Sequence, residues 1–451
     1  MADRKIVLIH GYSASGEAFN VWRDALVNVG WKREQLVTVS YESLTNEVSV
    51  RDIAEGFDRL LRQNLQLNED EPFDAIVHST GMLVLRSWLT RQGVADDRRK
   101  RLKHLVALAP ATFGSPLAHK GRSFLGALVK GRKAFGPDFL EAGDMVLDAL
   151  ELGGSFGWDL AHRDLFGETE FYNDKRTTPY VFVFVGDRGY RGLSSIANEP
   201  GTDGTVRWAG TALNSRKIIF DLTADCAEGN RVQLANWTQD DVPMHPIANI
   251  DHGSILSEPP EQLVRMVVDA LQVNSSATYA TWLADANATT EATLAAMPRW
   301  QQFVVRAIDE RGDGIRDWNL QFAFDDGKSM KPFSQDVHVY KGDASYRAFH
   351  VDLKQVEKMM TDPSAPVQLT ARLYASTGTK RVLYTGVLAD RSDVEAPDNA
   401  GTWYGTLNLS TTLPGGATQL FHPFTTTFLE LRLDRDPLTG PGMVIRLEPQ
   451  T

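Results

Sequence analysis

The segment Val77-His78-Ser79-Thr80-Gly81 constrains this chain more than any other. It follows the apolar run Ala75-Ile76-Val77 and opens an apolar, helix-like stretch from Met82 to Leu89. A strand, then x-His-Ser-x-Gly, then a helix requires a sharp turn that holds the serine in strained backbone geometry, its hydroxyl projecting above a sheet. The amide of Thr80 then sits at a helix N-terminus, where developing negative charge is favoured. The flanking sequence supplies such a sheet. Strands are expected over 5–9, 35–40, 73–78 and 104–109, and helices over 17–29, 49–66 and 81–92. That alternation implies parallel strands joined by crossover helices.

Partners for the serine follow in order. Lys5-Ile6-Val7-Leu8-Ile9 runs into His10-Gly11-Tyr12, and Thr202-Asp203-Gly204-Thr205-Val206 and Asp251-His252-Gly253-Ser254-Ile255 come much later. The chain order Ser, Asp, His is that of α/β hydrolases and differs from the chymotrypsin and subtilisin orders. On His10-Gly11-Tyr12, His78-Ser79-Thr80-Gly81, Asp203-Gly204 and His252-Gly253, residues 5–272 resemble bacterial lipases and esterases of the α/β-hydrolase superfamily. They are similar to its lecithin–cholesterol acyltransferase-like and GPI-inositol deacylase-like branch. The resemblance implies a serine ester hydrolase with Ser79 as nucleophile, His252 as base and Asp203 as the acid that orients it. It implies an oxyanion hole made by the amides of Tyr12 and Thr80, Gly11 permitting the turn that exposes the former. The substrate class implied is an ester of a hydrophobic acyl group, a lipid or phospholipid among them. Transfer of the acyl group to an alcohol, and a silent binding module on the same scaffold, stand as alternatives.

Each assignment has a rival. Asp187, in Val185-Gly186-Asp187 after a strong strand, competes with Asp203; His245, between prolines in Pro243-Met244-His245-Pro246, competes with His252. Asp203 is favoured by its Asp-Gly-Thr-Val context and His252 by its place before the last helix. Val77 departs from the small residue usual at the first elbow position. Gly11-Tyr12-Ser13-Ala14-Ser15 is a decoy that lacks the closing glycine in register. His10 is expected to orient the oxyanion loop, and His78 to point to the other side of its strand into the core. Phe113 and Trp158 are candidates to line an acyl pocket, with ordinary packing as the alternative.

Residues 116–172 interrupt the alternation with apolar helical sequence, as a cap over the site would. Strands resume at Tyr180-Val181-Phe182-Val183-Phe184-Val185 and near Lys217-Ile218-Ile219-Phe220, and a final helix spans about 261–272. The expected organisation is a catalytic domain over 1–272, a linker over 273–298 that turns helical near Glu291–Met297, and a β domain over 299–451. In the last part Leu320/Phe322/Phe324, Val367/Leu369/Ala371/Leu373 and Leu429/Leu431/Leu433 alternate with polar residues. This period of two predicts an antiparallel β-sandwich. The fold class is thus α/β, a mostly parallel hydrolase sheet with a helical cap, plus a C-terminal sandwich.

Bulk properties narrow the classes. Over 451 residues, 42% are hydrophobic and 23% charged, as in folded globular chains. A net charge of -11 argues against nucleic-acid binding. The basic cluster Arg98-Arg99-Lys100-Arg101 with Lys103 and His104 is expected to be a solvated connection. A single cysteine, Cys226, excludes an internal disulfide. The acidic loops holding Asp313, Asp317, Asp325 and Asp326 match no calcium-loop spacing, so neither metal nor cofactor is expected. The C-terminal domain is a candidate surface for a membrane or protein partner. With no signal peptide ahead of the first strand, a cytoplasmic location is expected.

Overall fold

The computed structural model describes residues 4–10, 16–41, 46–65, 67, 71–119, 143–173, 177–192, 195, 198–223, 231–238, 241–325, 329–354, 356, 368–379, 381–386, 401–413 and 419–437. Gly11, Tyr12, the Ser13–Ser15 decoy, residues 120–142 of the expected cap, Cys226, Asp326 and Val367 lie outside them. Two units divide the chain: residues 1–215 with 238–298, and residues 216–237 with 299–451.

The first unit is built on six parallel strands. They are β1 (Lys5–Ile9), β2 (Leu36–Val39), β3 (Phe73–His78), β4 (Leu102–Leu108), β5 (Tyr180–Gly186) and β8 (Met244–Ile247), in the order β2-β1-β3-β4-β5-β8. Every residue of β3 and β5 is buried, which is why both read as unbroken apolar runs and not as alternation. The helices are α1 (Asn20–Asn28), α2 (Val50–Gln63), α3 (Gly81–Leu89), α4 (Ala95–Arg101), α5 (Pro116–His119), α6 (Asp144–Leu150), α7 (Ser155–Asp164), α8 (Ser254–Ser257), α9 (Glu261–Ala270) and α10 (Ser276–Ala296). Ser49 and Asp52 form a reciprocal capping box at the start of α2. Helix α3 is buried over its whole length, consistent with its lack of a polar face. The described parts of 116–172 are mainly helical, as expected of that insertion. Among the described residues no helix is long and apolar enough to cross a membrane.

The second unit holds two sheets around one apolar core. One has the order β11 (Met330–Pro332), β10 (Asp317–Asp325), β14 (Gln368–Ser376), β16 (Thr402–Asn408). The other runs β12 (Gln335–Val339), β13 (Tyr346–Asp352), β9 (Trp300–Asp309), β17 (Thr426–Pro437), β6 (Ser215–Asp221), β7 (Val232–Trp237), with β15 (Val382–Thr385) also on β17. Phe303 and Phe322, one from each sheet, meet with ring centroids 5.1 Å apart in the shared core.

Four expectations are corrected. The strand at 217–220 does not extend the parallel sheet; it is β6, and it pairs with β7 and β17 in the second unit. Residues 273–298 are no linker: a Ser275–Thr278 capping box starts α10, which buries Tyr279, Trp282 and Ala286. Trp282 packs edge-on to Phe182 of β5 at 4.5 Å and donates from Nε1 to the Met266 carbonyl at 3.1 Å. The β domain is mixed, because β9 and β17 run parallel. The basic cluster is only partly solvated, with Lys100 exposed. Arg98, Arg101 and His104 are buried, Arg98 on Glu55 and Asp58, and His104 on Asp74 at 2.6 Å.

Candidate active site

Strand β3 stops at His78, and Ser79 adopts a φ of 53°, a left-handed conformation rare outside glycine. Such a residue costs on the order of 1–3 kcal/mol and persists only where its surroundings fix it. They do so here. The Ser79 N–H donates to the Leu108 carbonyl at 3.2 Å, and the Ser79 carbonyl accepts from Met82 and Ala111 at 3.2 and 3.1 Å. Gly81 lets the turn close: a Cβ there would lie 2.9 Å from the Ile9 oxygen and 3.3 Å from the Val77 Cβ. The missing side chain at Gly81 therefore makes room for Val77 at the other flank. Thr80, buried, follows Ser79 directly and leads into α3.

His252 lies between β8 and α8, buried, with Nδ1 3.0 Å from Asp203 Oδ2. Its backbone N–H donates to the Asp203 carbonyl, also at 3.0 Å, so loop and side chain are clamped to the same residue. The other carboxylate oxygen of Asp203 accepts the amides of Thr205 and Val206 at 3.0 and 2.9 Å. A turn aspartate whose Oδ1 is taken by its own loop can present only Oδ2 to an imidazole, which sets the ring's orientation. Gly204, with a φ of 101°, is required in this turn, since a Cβ would fall 2.6 Å from the Tyr190 ring.

His78 corrects its expectation. It is buried, but it faces His252: their ring centroids are 4.7 Å apart, and His78 Nε2 lies 3.0 Å from the His252 carbonyl oxygen. Burial foremost, with His252 and His10 as neighbours, holds its pKa well below the usual histidine range. The neutral ring can then donate Nε2–H to that carbonyl. The residue before Ser79 thus touches the loop that carries His252. His10, at the end of β1, stacks on Tyr41 at 5.0 Å, and its Nε2 accepts the Tyr41 N–H at 3.4 Å.

The two rivals sit elsewhere. Asp187 Oδ1 is buried without a hydrogen-bond partner, and burial raises the carboxyl's pKa. His245 lies in β8 against Trp282, ring centroids 5.2 Å apart, and burial pushes its pKa down to about 4.

Two features escaped sequence reasoning. Asp251 shapes the His252 loop: its Oδ1 accepts the amides of Gly253 and Ser254 at 3.0 and 2.9 Å, while its own N–H donates to Ser254 Oγ at 2.8 Å. The Asp251-x-x-Ser254 spacing is the signal for that box. Arg86, fully buried on α3, forks onto Asp164 of α7 at 2.7 and 2.9 Å and donates to the Thr112 carbonyl at 2.6 Å. Burial opposes the Arg86 charge, but Asp164 outweighs it and keeps the guanidinium's pKa above its ordinary value. Tyr172 adds a hydrogen bond to Asp164 at 2.6 Å. No motif announces a charged pair inside an apolar helix. Phe113 packs on the Arg86 guanidinium at 5.3 Å and Trp158 on His162 at 4.7 Å, which are packing contacts.

No protein-family model and no curated protein matches the sequence. Solved structures do. The phospholipase PlaB from Legionella pneumophila superposes with a TM-score of 0.77 at 21% identity, covering 99% of this chain and 97% of that one. The same phospholipase in complex with thio-NAD gives a TM-score of 0.73, with the same identity and coverage. The chain therefore has an α/β-hydrolase fold that carries a C-terminal β domain. At that identity the likeness to the Legionella phospholipase extends over nearly the whole chain as a fold.

Proposed function

We propose that this chain is a serine ester hydrolase acting on esters of hydrophobic acyl groups, phospholipids being the class suggested by its structural neighbour. The observation that carries the reading is the left-handed Ser79 at a strand-to-helix turn, next to a His78 in contact with the Asp203-bound His252. In this reading Ser79 Oγ attacks the ester carbonyl while His252 takes its proton. Asp203 holds the imidazole with Nδ1–H toward itself, leaving Nε2 to act as base, and offsets the imidazolium charge that forms. The tetrahedral oxyanion is met by the amides of Thr80 and Tyr12. Collapse expels the alcohol, which takes the proton from His252, and leaves Ser79 acylated. Water, deprotonated by the same histidine, then releases the carboxylic acid.

The test is hydrolysis of a p-nitrophenyl ester series from short to long acyl chains, together with a diacyl phospholipid, by wild type and Ser79→Ala. Wild-type activity should rise with chain length, and Ser79→Ala should lose on the order of 10⁶ in kcat. Equal activity in the two proteins would remove Ser79 from the chemistry. Activity confined to the shortest esters would overturn the lipid assignment while leaving the serine mechanism in place.

A further inference from the structure

A cleft of about 230 Å³ opens on the flank of the first unit where α2, α3 and α7 converge. It is separate from the candidate active site. Ser87 lies on its wall, eight residues beyond Ser79 along α3. That is roughly 12 Å along a helix that runs away from the turn.

The cleft's composition is unusual for an acidic chain. Arg51, Arg91 and Arg163 line it, with Glu55 as the one carboxylate. Glu55 is already engaged by Arg91 and Arg98. Arg51 and Arg163 have no carboxylate partner among the described residues, so two positive charges face one small space uncompensated. The Arg51 guanidinium lies over the Phe156 ring at 5.5 Å. A stacked guanidinium keeps its N–H edges in plane and free to fork onto an anion. Ser87 is only 8% exposed, and its Oγ has no hydrogen-bond partner, a costly arrangement for a hydroxyl on a buried helix.

We propose that this cleft is a binding site for a phosphate monoester. Two uncompensated guanidiniums match a dianion better than a single carboxylate. Phe156 gives an apolar wall to the group esterified to the phosphate. The site is independent of the ester hydrolysis proposed above and calls for no chemistry at the bound phosphate.

Calorimetric titration of the full chain with inorganic phosphate, phenyl phosphate and dihexanoyl phosphatidic acid tests it. Saturable binding is expected, tighter for the two esters than for inorganic phosphate, and the better of the two identifies an aromatic or a lipid body. Arg163→Gln and Arg51→Gln, both at exposed positions, should each weaken phenyl phosphate about tenfold. Arg33→Ala, which removes a surface ion pair elsewhere, should change nothing. No saturation by about 10 mM with any of the three ligands overturns the proposal, as does unchanged affinity in either cleft variant with an unaltered melting curve.

Discussion

Asp187 directly follows the strong strand β5, yet it is Asp203 whose carboxylate meets an imidazole. The difference is local. Asp203 gives Oδ1 to the amides of Thr205 and Val206 and presents Oδ2 to His252, whereas the Asp187 carboxyl has an oxygen without a hydrogen-bond partner and a pKa raised by burial. Asp203→Asn should therefore lower kcat on an ester substrate by about 10⁴-fold, because the amide stabilises the wrong imidazole tautomer. Asp187→Asn should stay within a few-fold of wild type in the same assay. His245 makes a separate prediction for stability. Its folded pKa of about 4 lies below the unfolded value, near 6.5, so between those values the unfolded chain binds more protons. Its contribution is intact above pH 6.5 and is lost as pH falls toward 4. Between pH 7.5 and pH 5 it should remove about 2 kcal/mol. Urea unfolding at the two pH values checks this: His245→Leu should lose about 2 kcal/mol less than wild type, and equal losses would acquit His245. At this scale the turns at Ser79, Asp203 and His252 were legible in the sequence, because Gly81, Gly204 and the Asp251-x-x-Ser254 box mark them. The sequence misled about His78, since strand alternation stops being a guide where the next residue leaves extended geometry.

The turn after β3 depends on an element-level fit that no single motif residue describes. Helix α3 must start close enough to β1 that the Gly81 Cα faces the carbonyls of Ile9 and His10. Gly81→Ala would place a methyl group 2.9 Å from the Ile9 oxygen, against backbone that cannot swing aside. The expected cost is about 1–3 kcal/mol in urea unfolding, and kcat should fall by more than KM rises, because the displaced turn carries Ser79. A Gly81→Ala protein with wild-type stability and kcat would mean that the turn yields cheaply. Elements were legible where periodicity was undiluted: β1, β3, β4, β5, α2 and α3 lie close to where the pattern puts them. Helix α10 was missed because Ala, Thr, Ser and Asn dominate it and resemble a linker by composition. Its core-facing residues Tyr279, Trp282, Ala286 and Thr290 nevertheless follow the three-and-four spacing of a helix, and the Ser275–Thr278 box marks its start. Four contact residues in a segment of 21 were too few to outweigh its composition.

On the scale of the whole chain, the first unit is interrupted in sequence but not in structure. The chain leaves it after Ser215, forms β6 and β7 in the second unit, and returns at Thr238. Nothing in composition marks this, because Lys217-Ile218-Ile219-Phe220 is as good a strand for one sheet as for the other; only pairing decides, and pairing is non-local. The exit and return points are adjacent. The Thr238 N–H donates to the Ser215 carbonyl at 3.1 Å, and the Leu213 N–H donates to the Val242 carbonyl at 3.2 Å. Ile218 and Phe220 are fully buried in the second unit's core, each worth about 1.5–3 kcal/mol there. A chain ending at residue 298 would expose both, and would leave β6 with the unpaired edge that β17 normally covers. That truncation should aggregate. The same truncation with residues 216–237 replaced by a short Gly-Ser turn should be soluble and monomeric, since the adjoining ends need only a tight connection. Size-exclusion chromatography of the two proteins separates the outcomes. If the hairpin-bearing truncation is as soluble as the excised one, β6 and β7 do not need the C-terminal sheet, and the boundary belongs where the composition first suggested it.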